Sequence, residues 1–512
     1  MLDNPGNSRW QVASGHSDTT RSAEAILEAG GNAADAAVAG ALAACVAEPL
    51  LATLGGGGYA LATTGNGSPK VLDFFTQTPI TRLADGLDFF PITGDFGPDT
   101  QEFHIGLGSM ATPGVIAGLF ELNRRLGRMP MTEVAAPAID LARSGVLINP
   151  VQAYTLRILE PIVRASPGSA RVFGLDALDQ PLLEAGELLS NPDYGDYLET
   201  LVGQGPDFFY RGGAAAGVAR DCLAGGGHLR LEDFAGYQAC WRDALDWTYR
   251  DCRLYSNPPP AFGGMLVSLA TTALEGLLSV GTDFGSLAHI QALVEAFQRT
   301  EQARVRLERP ELFSCSRTLL ASYRNLVPPP PVATRGTTHI SIRDRAGDLV
   351  AMTLSNGEGA GYVIPDTGIM MNNMLGEEDV NRAGFHQWPE NRRMASMMAP
   401  VLIELAGQRI VMGSGGSNRI RTALAQVISN LVDFQMAPDE AVMAPRLHLE
   451  GERMAFEQLP GGYGADALAW LQGQWSDHRA WPEANMYFGG VHLAGASEAF
   501  GDPRRAGVAS SG

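Results

Sequence analysis

Two periodicities of apolar positions alternate along this chain. Residues 22–47 are rich in alanine and interrupted by Gly30-Gly31-Asn32, which predicts a helix in two pieces with Asn32 as the N-cap of the second. The glycine run 55–58 then leads into YALATT, a turn at Gly65-Asn66-Gly67, and KVLDFF, together a β-hairpin. From about residue 113 to 240 the pattern is mainly helical. Residues 250–256 form a short strand closed by Pro258-Pro259-Pro260, and a helical stretch fills roughly 264–308. Four prolines, Pro328 to Pro331, cannot join a helix or a central strand, so the segment running to Gly336 should be extended and exposed. The runs TTHISIR (337–343) and LVAMTLS (349–355) flank the turn 344–348 and predict a second hairpin. With the turn centred on Ala346, Thr337 lies opposite Ser355, their Cβ atoms about 4.5–5.5 Å apart. A strand over IVMGSGG, a helix from Arg419 to Phe434 and small α and β elements complete the chain, with no fixed-period repeat.

Composition narrows what such elements can do. The 512 residues are 45% hydrophobic and 18% charged, enough to bury a sizeable core in one layered α/β unit or in two to three domains. The 61 glycines cluster, as in Gly413-Ser414-Gly415-Gly416, which points to close backbone approaches rather than a linker. A net charge of −19 with no Lys/Arg cluster argues against a nucleic-acid partner. No apolar run long enough for a membrane span occurs, and the N-terminal residues lack the basic start and apolar core of a secretory signal. The expectation is therefore a cytoplasmic protein, or a periplasmic one if a leader has been removed. Five scattered cysteines without CxxC spacing fit reduced thiols, and the nine histidines form no metal-ligand pattern. No cofactor is expected.

The candidate chemistry centres on Thr337. A threonine hydroxyl needs a base, and a chain-terminal threonine carries its own in the α-amine, whose pKa of about 7.7–8.0 suits neutral catalysis. An internal threonine gains that amine only if the peptide before it is cut. The proline-rich lead-in ending at Gly336 suits such a cut between Gly336 and Thr337, and Ser355 is placed to hydrogen-bond the Thr337 hydroxyl. Threonine fills strands routinely, so spacing alone leaves ordinary strand residues as the commoner reading of Thr337 and Thr338. His339 reads as a packed strand histidine rather than a base.

The motifs GGNAADAAVAGALA, GGGG, PPPAFGG, TTH and MGSGGSNRI, in this order from about residue 14 to 505, resemble the γ-glutamyltransferase (glutathione hydrolase) family. The resemblance implies an α+β fold, the four-layer αββα sandwich of the N-terminal nucleophile hydrolases. It also implies a proenzyme that splits into a large chain, 1–336, and a small chain, 337–512, which stay associated. In that family the threonine opening the TTH motif attacks a γ-glutamyl amide to give an acyl-enzyme, which water or an amine acceptor releases. Thr337 takes that role, and Ser355 matches the family's second hydroxyl residue. The oxyanion donors, two backbone N–H groups of the glycine loop, fall on Gly416 and Ser417, with Gly415 the alternative if the register slips by one. The glycine runs argue against a nucleotide site, because neither continues into a GK[ST] helix start.

The substrate clamp departs from the family pattern. Where the family places an arginine for the substrate carboxylate, this chain has Phe75, with Arg82 and Arg419 left as replacements. Met374 follows Asn372-Asn373 where a glutamine or glutamate is usual. Glu377 and Glu378 remain to pair with an ammonium, Asn356 to contact an amide, and Ser396 carries over from a serine pair. The stretch from Glu377 to Pro400 is shorter than in members with a lid, which implies an open pocket. Two small-molecule substrate classes stay open: γ-glutamyl amides, and the acyl amides cleaved by related cephalosporin or glutaryl acylases. A non-catalytic binding protein is the third reading.

Overall fold

The alanine-rich segment forms two helices, Ser17–Glu28 and Ala33–Ala47, parted at the predicted break. Asn32 Oδ1 accepts from the N–H groups of Ala34 and Asp35, and the Asp35 carboxylate accepts from the N–H of Asn32. The same carboxylate, wholly buried, accepts from the backbone of Arg128 and Met129 and from the Asn123 amide, tying the helix start to the following helical layer. Every residue of Ala33–Ala47 is buried, because one side packs on a sheet and the other on helices Val115–Leu126 and Met131–Ser144. Alanine permits that double burial by keeping the helix thin.

The computed structural model describes residues 9–95, 100–307, 336–377, 381 and 384–512. Two antiparallel sheets dominate. In the seven-stranded sheet the order is Val508–Ser511, Gln11–Ser14, Thr338–Arg343, Leu349–Ser355, Gly57–Thr63, Lys70–Phe74 and Cys240–Asp243. In the six-stranded sheet it is Ala499–Phe500, Gly490–Ala494, Gln408–Gly415, Val401–Leu405, Cys252–Ser256 and Leu245–Tyr249. Each sheet therefore mixes strands from before and after Gly336.

Side-chain alternation divides the core. Ile340, Ile342, Val350, Met352 and Leu354 face the helices Ala33–Ala47 and Val115–Leu126 in one cluster. Leu254, Val401, Ile403, Met412, Val491 and Leu493 face the helices Gly263–Leu277, Leu287–Leu307 and Arg419–Val432 in another. Between them Tyr59, Leu61, Val71, Leu349 and Ala351 of the first sheet meet Tyr255, Leu402, Val411 and Ala494 of the second. A period of two residues sends successive side chains to opposite faces, so that strands of either sheet supply an outer cluster from one face and the middle cluster from the other.

The predicted hairpin has the predicted register. Thr338 pairs with Leu354, His339 with Thr353 and Arg343 with Leu349. Asp344 closes the turn through bonds from the N–H groups of Ala346 and Asp348. Gly56 shows why the glycine run is needed: a Cβ there would lie 2.3 Å from the Ser355 carbonyl oxygen. A further hairpin pairs Phe90–Asp95 with Thr100–Ile105, although Pro91 lies in its first strand. Among the described residues these two strands pair with each other alone, and a two-stranded sheet consists of edges, where proline is tolerated.

Four cysteines, Cys45, Cys222, Cys240 and Cys252, are free thiols; Cys315 lies outside the described residues. Among the described residues no helix is long and apolar enough to cross a membrane, and no group of three His, Cys, Asp or Glu is arranged to hold a metal ion.

Candidate active site

Thr337 sits at the entrance of its strand, between the two sheets, and is 4% exposed. Its hydroxyl donates to the carbonyl oxygen of Gly336 at 2.8 Å, and the Ser355 hydroxyl donates to the same oxygen at 2.6 Å. Ser355 in turn accepts from the N–H of Gly357 at 3.0 Å. The hairpin thus brings both hydroxyls together, but they meet on a shared acceptor instead of bonding each other. That acceptor is the carbonyl of the peptide bond preceding Thr337. Two O–H donors on one carbonyl draw charge from its carbon, the atom a nucleophile must attack.

The glycine motif approaches from the second sheet. The strand Gln408–Gly415 runs out at Gly415, where a Cβ would lie 2.2 Å from the Thr337 carbonyl oxygen. Gly416 and Ser417 follow with φ of 115° and 50°, and the helix Arg419–Val432 begins directly after them. A serine held at positive φ costs on the order of 1–2 kcal/mol, a strain of the kind that collects at functional turns. Replacing Gly415 by Ala is expected to slow the cut that the sequence leads one to expect before Thr337 by at least about tenfold, because backbone must move to admit the methyl group. A time course of fragment appearance on denaturing gels measures it, and an unchanged rate would refute the close approach.

One cavity of about 30 Å³ gathers Thr337, Ser355, Ser417, Glu377 and Ser396. Its remaining walls are Phe75, Met374, Met397, Met398 and Ile420. Phe75 is buried and stacks on Tyr59, with ring centroids 5.7 Å apart. Glu377 is 2% exposed. The Ser396 hydroxyl accepts from the N–H of Met398. The PPPAFGG motif builds this wall from below: the N–H groups of Phe262 and Gly263 donate to the Ser396 carbonyl, and the Asn257 amide donates to that of Met398.

Other expected residues stand elsewhere. Asn356 is fully buried, accepts from the Thr53 hydroxyl at 2.8 Å, and is not among the cavity's lining residues. Arg82 is exposed, donates to the His386 carbonyl and lies over Trp388. Arg419 is buried over the Tyr487 ring and donates to the Tyr487 carbonyl. Neither arginine lines the cavity. Glu378 lies outside the described residues.

His339 is buried beneath the site, bonded to the hydroxyls of Thr353 and Ser341. Burial, helped by His492, pulls its pKa well below the usual histidine value, so it is neutral and occupied by these two partners. Among the described residues no imidazole lines the cavity.

Three charged residues near the junction escaped the sequence reading. Arg505 donates to the Thr337 carbonyl at 3.4 Å; burial and then Arg419 pull its pKa down to about 10, so it stays cationic at neutral pH. Glu48, at the end of the helix Ala33–Ala47, is buried and accepts from the Thr19 hydroxyl; burial pushes its pKa up. Glu358 accepts from the N–H of Gly336 at 2.7 Å. None carries a motif. Glu48 and Arg505 are distant in sequence and converge only through the seven-stranded sheet and its neighbours.

The gamma-glutamyltranspeptidase family matches residues 19–512. A glutathione hydrolase proenzyme of Escherichia coli (strain K12) is 30% identical over 477 residues, covering 85% of this chain and 80% of the relative. An acylase ACY 1 proenzyme of Pseudomonas sp. (strain SE83) is 29% identical over 489 residues, covering 90% and 86%. Among solved structures, a cephalosporin acylase from Bacillus halodurans superposes with a TM-score of 0.81 at 22% identity, covering 100% of this chain and 99% of that one, which establishes a shared mixed α+β fold. The family match spans nearly the whole chain and includes the hairpin, the glycine loop and the threonine between them. This protein therefore belongs to the gamma-glutamyltranspeptidase family.

Proposed function

We propose that this chain is a self-processing amidohydrolase whose nucleophile is Thr337, built as the four-layer αββα sandwich of the N-terminal nucleophile hydrolases. The observation that carries the reading is the Gly336 carbonyl held by the Thr337 and Ser355 hydroxyls at 2.8 and 2.6 Å. Cleavage there yields a large chain, 1–336, and a small chain, 337–512. The two remain associated because strands of both interleave in each sheet. The named relatives of both kinds are proenzymes, which agrees with this reading.

In the cut enzyme the α-amine of Thr337 takes the proton of its own hydroxyl, and the oxygen attacks the substrate amide carbonyl. The backbone N–H groups of Gly416 and Ser417 stabilise the developing oxyanion. Ser355, relieved of the Gly336 carbonyl, turns its hydroxyl to the nucleophile. The amine leaves, and water or an acceptor amine attacks the acyl-enzyme to regenerate Thr337.

The acyl pocket favours an acylase with an uncharged acyl group. Among the described residues lining it none is cationic, so a substrate carboxylate meets Phe75, Met374, Met397 and Met398. Placing a carboxylate against such a wall without a partner is costly. A γ-glutamyl substrate is the second reading, supported by Glu377, a carboxylate on the cavity wall that suits an ammonium. The test compares three anilides: γ-glutamyl, glutaryl, and a straight-chain acyl of equal length with neither charge. The uncharged compound is expected to have the highest kcat/KM. A tenfold or greater preference for the γ-glutamyl anilide, roughly 1.4 kcal/mol, would establish the second reading instead.

A further inference from the structure

Glu358 belongs to none of the roles above, yet it touches the residue that must be cut away. It is 2% exposed, and its Oε1 accepts from the N–H of Gly336 at 2.7 Å. Its own N–H donates to the Asn373 side chain at 2.9 Å, which anchors it beside the cavity. A Cβ added to Gly336 would lie 2.8 Å from Glu358 Oε2, from the Gly357 carbonyl oxygen and from the Leu50 carbonyl oxygen. Gly336 is thus enclosed by oxygens on its Cα side, held by a carboxylate at its nitrogen and held by two hydroxyls at its carbonyl.

We propose that Glu358 is the positioning residue of self-cleavage and that its charge then expels the product strand. This rests on the reading of Thr337 as the self-released nucleophile. Before cleavage, a fixed N–H on one side of Gly336 leaves its carbonyl little freedom to turn away from the Thr337 hydroxyl. The Thr337 oxygen adds to the Gly336 carbonyl carbon and its proton passes to the Thr337 nitrogen. The C–N bond breaks, leaving Gly336 as an ester on Thr337. Water hydrolyses that ester, restoring the hydroxyl and giving a Gly336 carboxylate, with the released proton taken by the new α-amine or solvent.

The new carboxylate is born on the residue whose nitrogen Glu358 holds. Two carboxylates at such separation in a buried site repel strongly. Arg505, attracted by Glu358, Asp502 and Glu48 and repelled by Arg419, already serves several carboxyl groups, and the Gly336 carboxylate adds another. The same side chain therefore holds the uncut strand by accepting its N–H and rejects the cut strand by charge.

Two variants separate the parts of this proposal. Glu358→Ala removes the acceptor and should slow fragment formation at least about tenfold, followed by intact mass. Glu358→Gln keeps an oxygen acceptor and loses the charge. It should cleave within a few-fold of wild type, while anilide turnover appears later than the cut and rises when the cut protein is dialysed at high salt. Cleavage of Glu358→Ala at the wild-type rate, or equal slowing in Glu358→Gln, would overturn the holding role. Turnover that keeps pace with cleavage in Glu358→Gln, as in wild type, would overturn the expulsion role. Thermal midpoints of Thr337→Ala and of Thr337→Ala/Glu358→Ala, both uncut, should agree within a few degrees; a large drop would assign the slow cleavage to folding. A wild-type chain that never cuts before Thr337 would instead defeat the underlying reading, whatever the variants do.

Discussion

Substituting Thr337 by Ala is expected to leave one uncut chain and to lower amide hydrolysis by at least about 10³-fold. Two losses coincide in this variant. Without the hydroxyl nothing adds to the Gly336 carbonyl, and without the cut no α-amine is freed to act as base. Thr337→Ser keeps the oxygen and should still cut, more slowly, since serine lacks the methyl group that restricts rotation about χ1. Denaturing gels and N-terminal sequencing of the smaller fragment decide the matter. A fragment beginning at Thr337 is expected from wild type; normal processing of Thr337→Ala would exclude Thr337 as the nucleophile. The prediction is sharpened by the shared acceptor, because Ser355 also donates to the Gly336 carbonyl yet does not adjoin the peptide bond to be cut.

Stability is expected to fall steeply as pH drops from about 6.5 towards 4, the interval between unfolded and folded histidine pKa values. Burial pulls His228, His289, His448 and His492 down to about 4, and lowers His16, His104, His339 and His386 as well. Such a group binds its proton in the unfolded chain before it does so in the folded one. Its contribution is therefore present above the unfolded pKa and is lost as pH falls. For each histidine held near 4 the loss is on the order of 1–2 kcal/mol by pH 5. Glu48, Asp233 and Asp344, whose carboxyl pKa values are raised mainly by burial, act in the opposite sense and offset part of it. The measurement is the calorimetric midpoint from pH 7.5 to 4.5. A flat profile would show that these imidazoles are more accessible to protons than their burial indicates.

A different kind of pH effect is expected on turnover. The base proposed for Thr337 is an α-amine with an ordinary pKa near 8, so activity should rise through neutrality. The stability loss lies at lower pH, which keeps the two effects separable. His339 should contribute to the second and not the first, since its ring is engaged by Thr353 and Ser341.

The sequence alone determined the elements whose signals are local. The break before Asn32 is legible because a cap is a contact between residues three apart, and the register of 337–355 is legible because a short turn dictates pairing. Family motifs extended this to the position of the glycine loop, since glycine runs mark places where backbone meets backbone, as Gly415 meets Thr337. What the sequence could not decide are meetings between distant segments. It offered Arg82 and Arg419 as carboxylate partners, and the fold turns one to the surface and the other onto Tyr487. It placed the Ser355 hydroxyl on that of Thr337, whereas the fold puts both on the Gly336 carbonyl. Glu358 and Arg505 reach the same junction from chain positions with no motif, one through a tight turn after Ser355 and one from the far end of the chain. The strand and turn that carry Thr337 can be read locally, while its proposed role as nucleophile rests on the family resemblance. Its acceptor, its charges and the wall its substrate meets depend on side chains brought together by the stacking of two sheets, which no local pattern records.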